Sequence, residues 1–467
     1  MTTGAKYAKA ALEPPLGRHG GGPDHPVDQL AREVRRRGEE AGLAALGVAP
    51  AVPMEATRRV IEDRKAAGLS GGMQFTYRNP ARSTDPGRVL AGAAALVVGA
   101  WSYGPASGLA AYRDGRDVRA GGGGPDGARL KEKQGGPDDA QQWGKHGGPG
   151  TNRPKGRVAR YARHDHYRDL RSALEQVAEV LLAAGWRARV VADDNALVDR
   201  AAAERAGLGW FGKNSNILLP GRGSWFLLGS VVTDAPLPAG TPVGDGCGAC
   251  RRCLSGCPTG ALVAPGVLDA RKCLAWLVQA TGVFPFEFRV ALADRIYGCD
   301  DCQEVCPANR LVTGLSAGES TGNTREVAPA AGQAELRETA VEADGEAGDQ
   351  AEVDLIDLLS APDESLLSRY GRWYIPQRDP RYLRRNALLA IGNVGDGFSP
   401  EVADALARYL DHPDDMLRAH AAWACFRAGR QDLVANRPYL RHDPSPLVRN
   451  ELDRQAEVPV RAVRPGR

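Results

Sequence analysis

Eight of the chain's nine cysteines fall between Cys247 and Cys306. Thiolates at that density bind metal or pair as disulfides. The stretch CGACRRCLSGCPTGAL sets Cys247, Cys250, Cys253 and Cys257 ahead of Pro258, a complete C-x2-C-x2-C-x3-C-P run. In such a run three thiolates take three corners of an iron–sulfur cubane, and the fourth ligates the other cluster of a pair. The second run, YGCDDCQEVCP, holds only Cys299, Cys302 and Cys306, with Ile296 where a leading cysteine would stand. The crossover gives Cys247, Cys250, Cys253 and Cys306 to one [4Fe–4S] cluster. Cys257, Cys299 and Cys302 are then one ligand short, and Cys273 is the unassigned cysteine of the region. Two cubanes of four ligands each close the count. Zinc is the first rival, but a four-thiolate zinc site has no use for the C-x3-C-P ending. Disulfides are the second, and they do not suit a chain that reads as cytoplasmic. Cys425 stands alone and reads as a buried apolar residue.

The elements that must position these thiolates fall into blocks. At 467 residues the chain has room for two or three domains, and its 43% hydrophobic and 25% charged residues are ordinary for a soluble protein. No apolar run spans a bilayer and no signal-peptide core is visible, so a soluble cytoplasmic monomer is expected. A net charge of +3 leaves any nucleic-acid contact to a local patch. Residues 1–26 read as a disordered tail. Residues 27–240 alternate helical and strand patterns, which predicts an α/β domain. A Gly/Pro-rich insertion, about 104–155, interrupts it. The cysteine region, 241–315, reads as a ferredoxin-like domain. Residues 316–353 carry nine acidic residues against Arg325 and Arg337 and read as a linker. In 354–467, Leu383, Arg384 and Ala387 align with Leu417, Arg418 and Ala421, a repeat of paired helices that indicates HEAT-like stacking. The fold class is therefore α+β and multidomain.

Other motifs carry less chemistry. GLGWFG (Gly207–Gly212) matches G-x-G-x-x-G, but it follows a helix rather than a strand, against a dinucleotide site. ARHDHYRD groups His164, Asp165, His166 and Tyr167; a polar helix start capped by Asp165 is favoured over a pocket wall. ADDN places Asp193 and Asp194 between a strand and a helix, where one would cap the helix and α/β proteins keep their chemistry.

Together these stretches resemble the tRNA epoxyqueuosine reductases. RSTDPGRVLAGA, GRVARYAR, AGLGWFGKNSNIL, GSWFLLGSVVTD, the two cysteine runs and RDPRYLRRNALLAIGN lie in order along most of the chain. The resemblance implies a cobalamin held between an α/β domain and the two-cluster domain. It also implies that HEAT-like helices help hold tRNA, and that an external electron donor feeds the clusters. The reaction implied is reduction of the epoxide of epoxyqueuosine, at the wobble position of tRNA, to queuosine. Counting back without gaps from Gly207 puts the family's proton donor at Asp193. Arg82, Asn216, Ile217, Asp300 and Asp301 are the positions implied to touch the cobalamin, and GLGWFG would shape that pocket. Arg372, Arg378, Arg381, Arg384 and Arg385 are candidate phosphate contacts. The chain departs from the family in reading Asp165-His166-Tyr167 after RYAR, LAWLVQA after Cys273, and Ala308 in CPAN. Two alternatives remain open: a cobalamin-dependent reductase of another substrate, as in the reductive dehalogenases, and a non-catalytic iron–sulfur protein.

Overall fold

The computed structural model describes residues 25–104, 153–309 and 351–457. The N-terminal tail, nearly all of the glycine-rich insertion and most of the acidic linker lie outside them. The described chain divides into two compact units. One contains 25–104, 160–273 and 300–309; the other contains 153–159, 274–299 and 351–457. The segment between Cys273 and Cys299 thus belongs with the C-terminal helices.

The first unit is built on the strands β1 (Ala45–Pro50), β2 (Ala95–Ser102), β3 (Ala188–Ala192) and β4 (Phe226–Thr233), in the order β1-β2-β4-β3. Every neighbouring pair is antiparallel. The helix–strand alternation of the sequence left strand direction open, and the sheet is wholly antiparallel. Helix–strand alternation fixes which segments are strands, whereas direction depends on which edge each crossover returns to. Strand β2 is central, and its alternate side chains serve both faces. Ala95 and Val97 pack under the helices α1 (Pro26–Glu40) and α2 (His166–Ala183), while Leu96, Val98 and Ala100 pack on the side of α3 (Asp199–Arg205). Burial on both faces is why its sequence reads as one apolar run. Gly99 and Gly229 pair across β2 and β4 beneath α2. A Cβ on Gly229 would stand 2.7 Å from Leu174 Cδ1, so glycine sets how closely helix and sheet approach.

The second unit joins three short strands, Lys155–Val158, Arg295–Tyr297 and Glu352–Asp354, to a helical stack. The stack includes α4 (Arg381–Val394), α5 (Pro400–Leu410), α6 (Asp415–Arg427) and α7 (Pro446–Glu457). The two repeats read from the sequence fall on α4 and α6, which pack together. The Arg289 guanidinium and Glu451 carboxylate form a buried ion pair at 2.9 Å inside this unit.

Candidate functional site

The cysteines of the first unit are brought together by short turns. All nine cysteines are free thiols in the structure. Burial raises the proton affinity of the Cys253 thiol, and neighbouring Cys306, Cys247 and Cys250 raise it further. Cys306 is raised in the same way, by burial and then by Cys247 and Cys250. Sulfurs of the two runs therefore act on one another electrostatically, Cys306 of the second run with Cys247 and Cys250 of the first. Cys257 Sγ accepts a hydrogen bond from Ala261 N–H at 3.3 Å. Such bonds to sulfur tune the potential of an iron–sulfur centre. Among the described residues no three Cys, His, Asp or Glu groups converge on a site for a single ion. Cys425 is fully buried in α6 and its thiol is pushed up to about 12, in keeping with an apolar role.

GLGWFG is a hairpin. Trp210–Phe211 pairs with Ile217–Leu218, and a Cβ on Gly209 would fall 2.0 Å from Leu218 O. The glycines admit a crossing backbone, and no phosphate cradle is formed. The hairpin's turn ties the sheet to both cysteine runs. Lys213 Nζ donates to Gly248 O at 2.5 Å and Cys250 O at 2.8 Å, and Asn214 Nδ2 donates to Cys302 O at 3.4 Å. Asn216 is locked within the turn, accepting from Gly212 N–H through its carbonyl and donating its own N–H to Asn214 Oδ1. Ile217 is buried beside it.

At the C-terminal end of β3 the backbone turns left-handed at Asp193, with φ 51°. A non-glycine residue there stores strain of about 1–3 kcal/mol, which persists only where the surroundings enforce it. Three contacts do so. Arg171 donates to Ala192 O, Ser83 Oγ donates to Asn195 O at 2.6 Å, and Asp194 Oδ1 accepts from Ala196 N–H at 2.9 Å. Arg82 is exposed beside Ser83 and is placed by its own N–H bond to Asn79 Oδ1. Asp193 itself is exposed, yet enough protein crowds its carboxyl to raise its proton affinity. Arg171 opposes the shift and Asp194 adds to it. Asp165 caps α2 through Arg168 N–H, as the favoured reading had it. The next turn brings Tyr167 to the acidic group, its phenol raised by burial and then by Asp193 and Asp199.

Asp199, at the start of α3, carried no distinguishing mark in the sequence. Its carboxyl is raised well above the ordinary range, first by burial and then by Asp193, and its Oδ1 has no hydrogen-bond partner. For an acid whose folded value is raised, the stabilisation is complete below the unfolded value near 3.8 and is lost as pH rises through the folded one. Asp199→Asn is therefore expected to leave the melting temperature near pH 4 unchanged. It should raise it near pH 8, by about 1.4 kcal/mol of stability per unit of elevation. Thermal melts at the two pH values measure this.

Asp300, in the second cysteine run, is only 5% exposed. Its Oδ2 accepts from Arg160 N–H at 2.7 Å, its Oδ1 is unpartnered, and burial pushes its carboxyl up to about 6. Asp301 opens the short helix Asp301–Glu304 and is partly buried. Within that helix Gln303 Nε2 reaches Tyr103 OH and Ser224 O, and Asn309 Oδ1 accepts from Ser224 N–H at 2.6 Å. These bonds seat the second run against the end of the sheet. Tyr103 and Gln303 were missed in the sequence, because only the tertiary fold joins residues two hundred positions apart.

The arginine cluster needs correction. Arg385 is fully buried and its guanidinium faces main-chain carbonyls, so it offers nothing to a phosphate. Arg384 pairs with Asp363, Arg381 with Asp379 and Asp414, and Arg378 donates to Gly371 O. A hollow of about 450 Å³ lined by Arg381, Arg384, Arg408 and His412 belongs to this helical unit and contains none of the candidate catalytic groups.

Residues 246–309 match the family model of a 4Fe-4S double cluster binding domain. The epoxyqueuosine reductase of Shewanella oneidensis is 34% identical over 294 residues, covering 60% of this chain and 68% of that protein. The first relatives matched are spanned over about two thirds of their length or slightly less, 63% to 66%. Among solved structures, an epoxyqueuosine reductase with an epoxyqueuosine-modified tRNA stem loop superposes with TM-score 0.70 at 24% identity. It covers 92% of this chain and 99% of that one. The Bacillus subtilis epoxyqueuosine reductase, described with its catalytic aspartate loop swung out of the active site, gives TM-score 0.68 at 25% identity, with the same coverage. No described helix is long and apolar enough to cross a membrane. The chain belongs to the epoxyqueuosine reductase family.

Proposed function

We propose that this protein reduces the epoxide of epoxyqueuosine in tRNA to the alkene of queuosine, with Asp193 as proton donor. The observation that carries the reading is the conjunction, in one compact unit, of a cluster-type thiolate group and a carboxyl on a strained left-handed backbone at a strand end, its proton affinity raised by burial. Conversion of an epoxide to an alkene takes up two electrons and two protons and releases water. Two [4Fe–4S] clusters and a cobalamin, when bound, would supply the electrons one at a time and a reduced cobalt centre to pass them on. Cys247, Cys250, Cys253 and Cys306 would hold one cluster; Cys257, Cys273, Cys299 and Cys302 would hold the other.

The chain's own groups fit a corrinoid. Ser215 Oγ, Trp225 Nε1 and Arg160 Nε are buried donors without partners, and Asp300 Oδ1 is a buried acceptor without one. A corrin ring is fringed by amides that can satisfy both kinds. Arg82, Asn216, Ile217 and Asp301 would border it. Desolvation raises the proton affinity of the Asp193 carboxyl, Arg171 opposes the shift and Asp194 adds to it, while Asp199 and Tyr167 lie in the same environment; the proton that Asp193 would donate is held on its carboxyl oxygen. That proton goes to the epoxide oxygen as it develops negative charge. The contacts of Arg171, Ser83 and Asp194 that enforce the left-handed backbone would hold this carboxyl in place at the strand end. The helices α4 to α7 form a short HEAT-like array that would hold the RNA, and an external protein would supply electrons.

The test is anaerobic incubation of the reconstituted protein with cobalamin, a chemical reductant and an epoxyqueuosine-containing stem loop, followed by nucleoside analysis. Queuosine is the expected product. Unchanged epoxyqueuosine, in the presence of full clusters and bound cobalamin, overturns the reading.

A further inference from the structure

The helical unit spends most of its buried polar side chains on one object, the segment between Cys273 and Cys299. Arg385, buried in α4, donates to Leu277 O at 3.0 Å, Ala280 O at 2.8 Å and Gly282 O at 2.7 Å. The next residue, Asn386, donates through Nδ2 to Val278 O at 2.8 Å and Ile296 O at 3.2 Å. Asn393, a further two turns along α4, donates to Arg289 O and Ala293 O. On α6, His420 hydrogen-bonds Met416 O through Nδ1, which leaves Nε2 to accept from Phe284 N–H at 3.2 Å. Glu451 on α7 pairs with Arg289. Outside the helices, Tyr374 N–H donates to Tyr297 OH at 2.8 Å, and Trp373 stacks on the same ring at 4.5 Å.

Most of these contacts reach main-chain atoms. Apolar packing is non-directional, whereas hydrogen bonds from buried groups fix the path of the backbone they meet. A guanidinium without a carboxylate partner is an expensive thing to bury. Here its donors are used by the carbonyls of one turn, 277–282. Asn386 braces that turn to Ile296, three residues before Cys299, so one side chain joins both ends of the segment. Because the grip is on the main chain, it also tolerates the LAWLVQA side chains that depart from the family.

We propose that Arg385 and Asn386 are positioning residues for the Cys299 thiolate, and through it for the second iron–sulfur cluster. The helical unit is then a scaffold for the electron path as well as an RNA holder. This rests on the reading of Cys299 as a cluster ligand.

The experiment measures iron per chain and the electron paramagnetic resonance spectrum of the reduced, full-length protein after anaerobic reconstitution. Arg385→Met and Asn386→Leu are expected to fall from about eight to about four irons per chain. Each should lose the resonance component that Cys299→Ser also loses. Arg385→Lys, which keeps the charge and part of the bonding, should regain some of that component. Arg418→Met is the control: it breaks the partly buried Arg418–Asp443 pair in the same stack, where the Arg418 bonds go to Asp443, His412 and Pro413. It should destabilise the unit yet keep both components. Full iron and unchanged midpoint potentials in Arg385→Met and Asn386→Leu overturn the proposal, as does equal loss in Arg418→Met. If Cys299→Ser keeps all its iron, the ligand reading itself is what fails. Should Arg385→Met not yield soluble protein, Asn386→Leu decides alone.

Discussion

Asp193→Asn is expected to lower single-turnover epoxide reduction by about 10²–10⁴-fold, the usual contribution of a positioned general acid. Iron content and cobalamin binding should match the wild type, because asparagine keeps the shape of the side chain and tolerates the left-handed backbone. The pH profile gives the sharper measurement. The carboxyl must be protonated to act, and its proton affinity is raised by burial and by Asp194. Wild-type rate should therefore be high on the acid side and fall as pH rises through the raised value. The residual rate of Asp193→Asn should lack that limb. Arg171 opposes the shift, so Arg171→Met should move the limb to higher pH without abolishing it. Single-turnover rates near wild type in Asp193→Asn would remove Asp193 from the mechanism.

Cys306→Ser is expected to abolish turnover and to halve the iron, from about eight to about four per chain. Cys306 stands in the second run, yet the sulfurs acting on its thiol are Cys247 and Cys250 of the first. The spectrum of the variant should therefore lose the same component that Cys253→Ser loses. A simple in-run assignment predicts the opposite pattern, with Cys306→Ser resembling Cys302→Ser. Comparison of these three spectra with that of the wild type separates the two arrangements. Cys425→Ser should leave iron unchanged, since that thiol is sealed inside α6 and held neutral.

The sequence determined the kind of chemistry. Thiolate spacing is a local property, and the run from Cys247 to Cys257 names its cofactor class without any fold. The strand Ala95–Ser102 carries its signature in the sequence as well, since a strand covered on both faces reads as a near-continuous apolar run. The recurrence of Leu383 at Leu417 and of Ala387 at Ala421 was visible too, and these residues fall on α4 and α6, which pack together.

Strand direction was not legible. An antiparallel and a parallel sheet can share the same order of helices and strands along the chain, and only the crossovers distinguish them. Charge at Asp199 and Arg385 was not legible either, because a charged letter in sequence says nothing of burial. Arg385 looks like Arg384 beside it, yet one residue step, about 100° around α4, sends the two in different directions: Arg384 to Asp363, Arg385 into a cage of carbonyls. Sequence chose the thiolates and their spacing because ligand geometry is short-range. The proton affinity of Asp193 and the anchoring of the Cys273–Cys299 segment depend on desolvation and on contacts a hundred residues apart, and only the tertiary structure decided them.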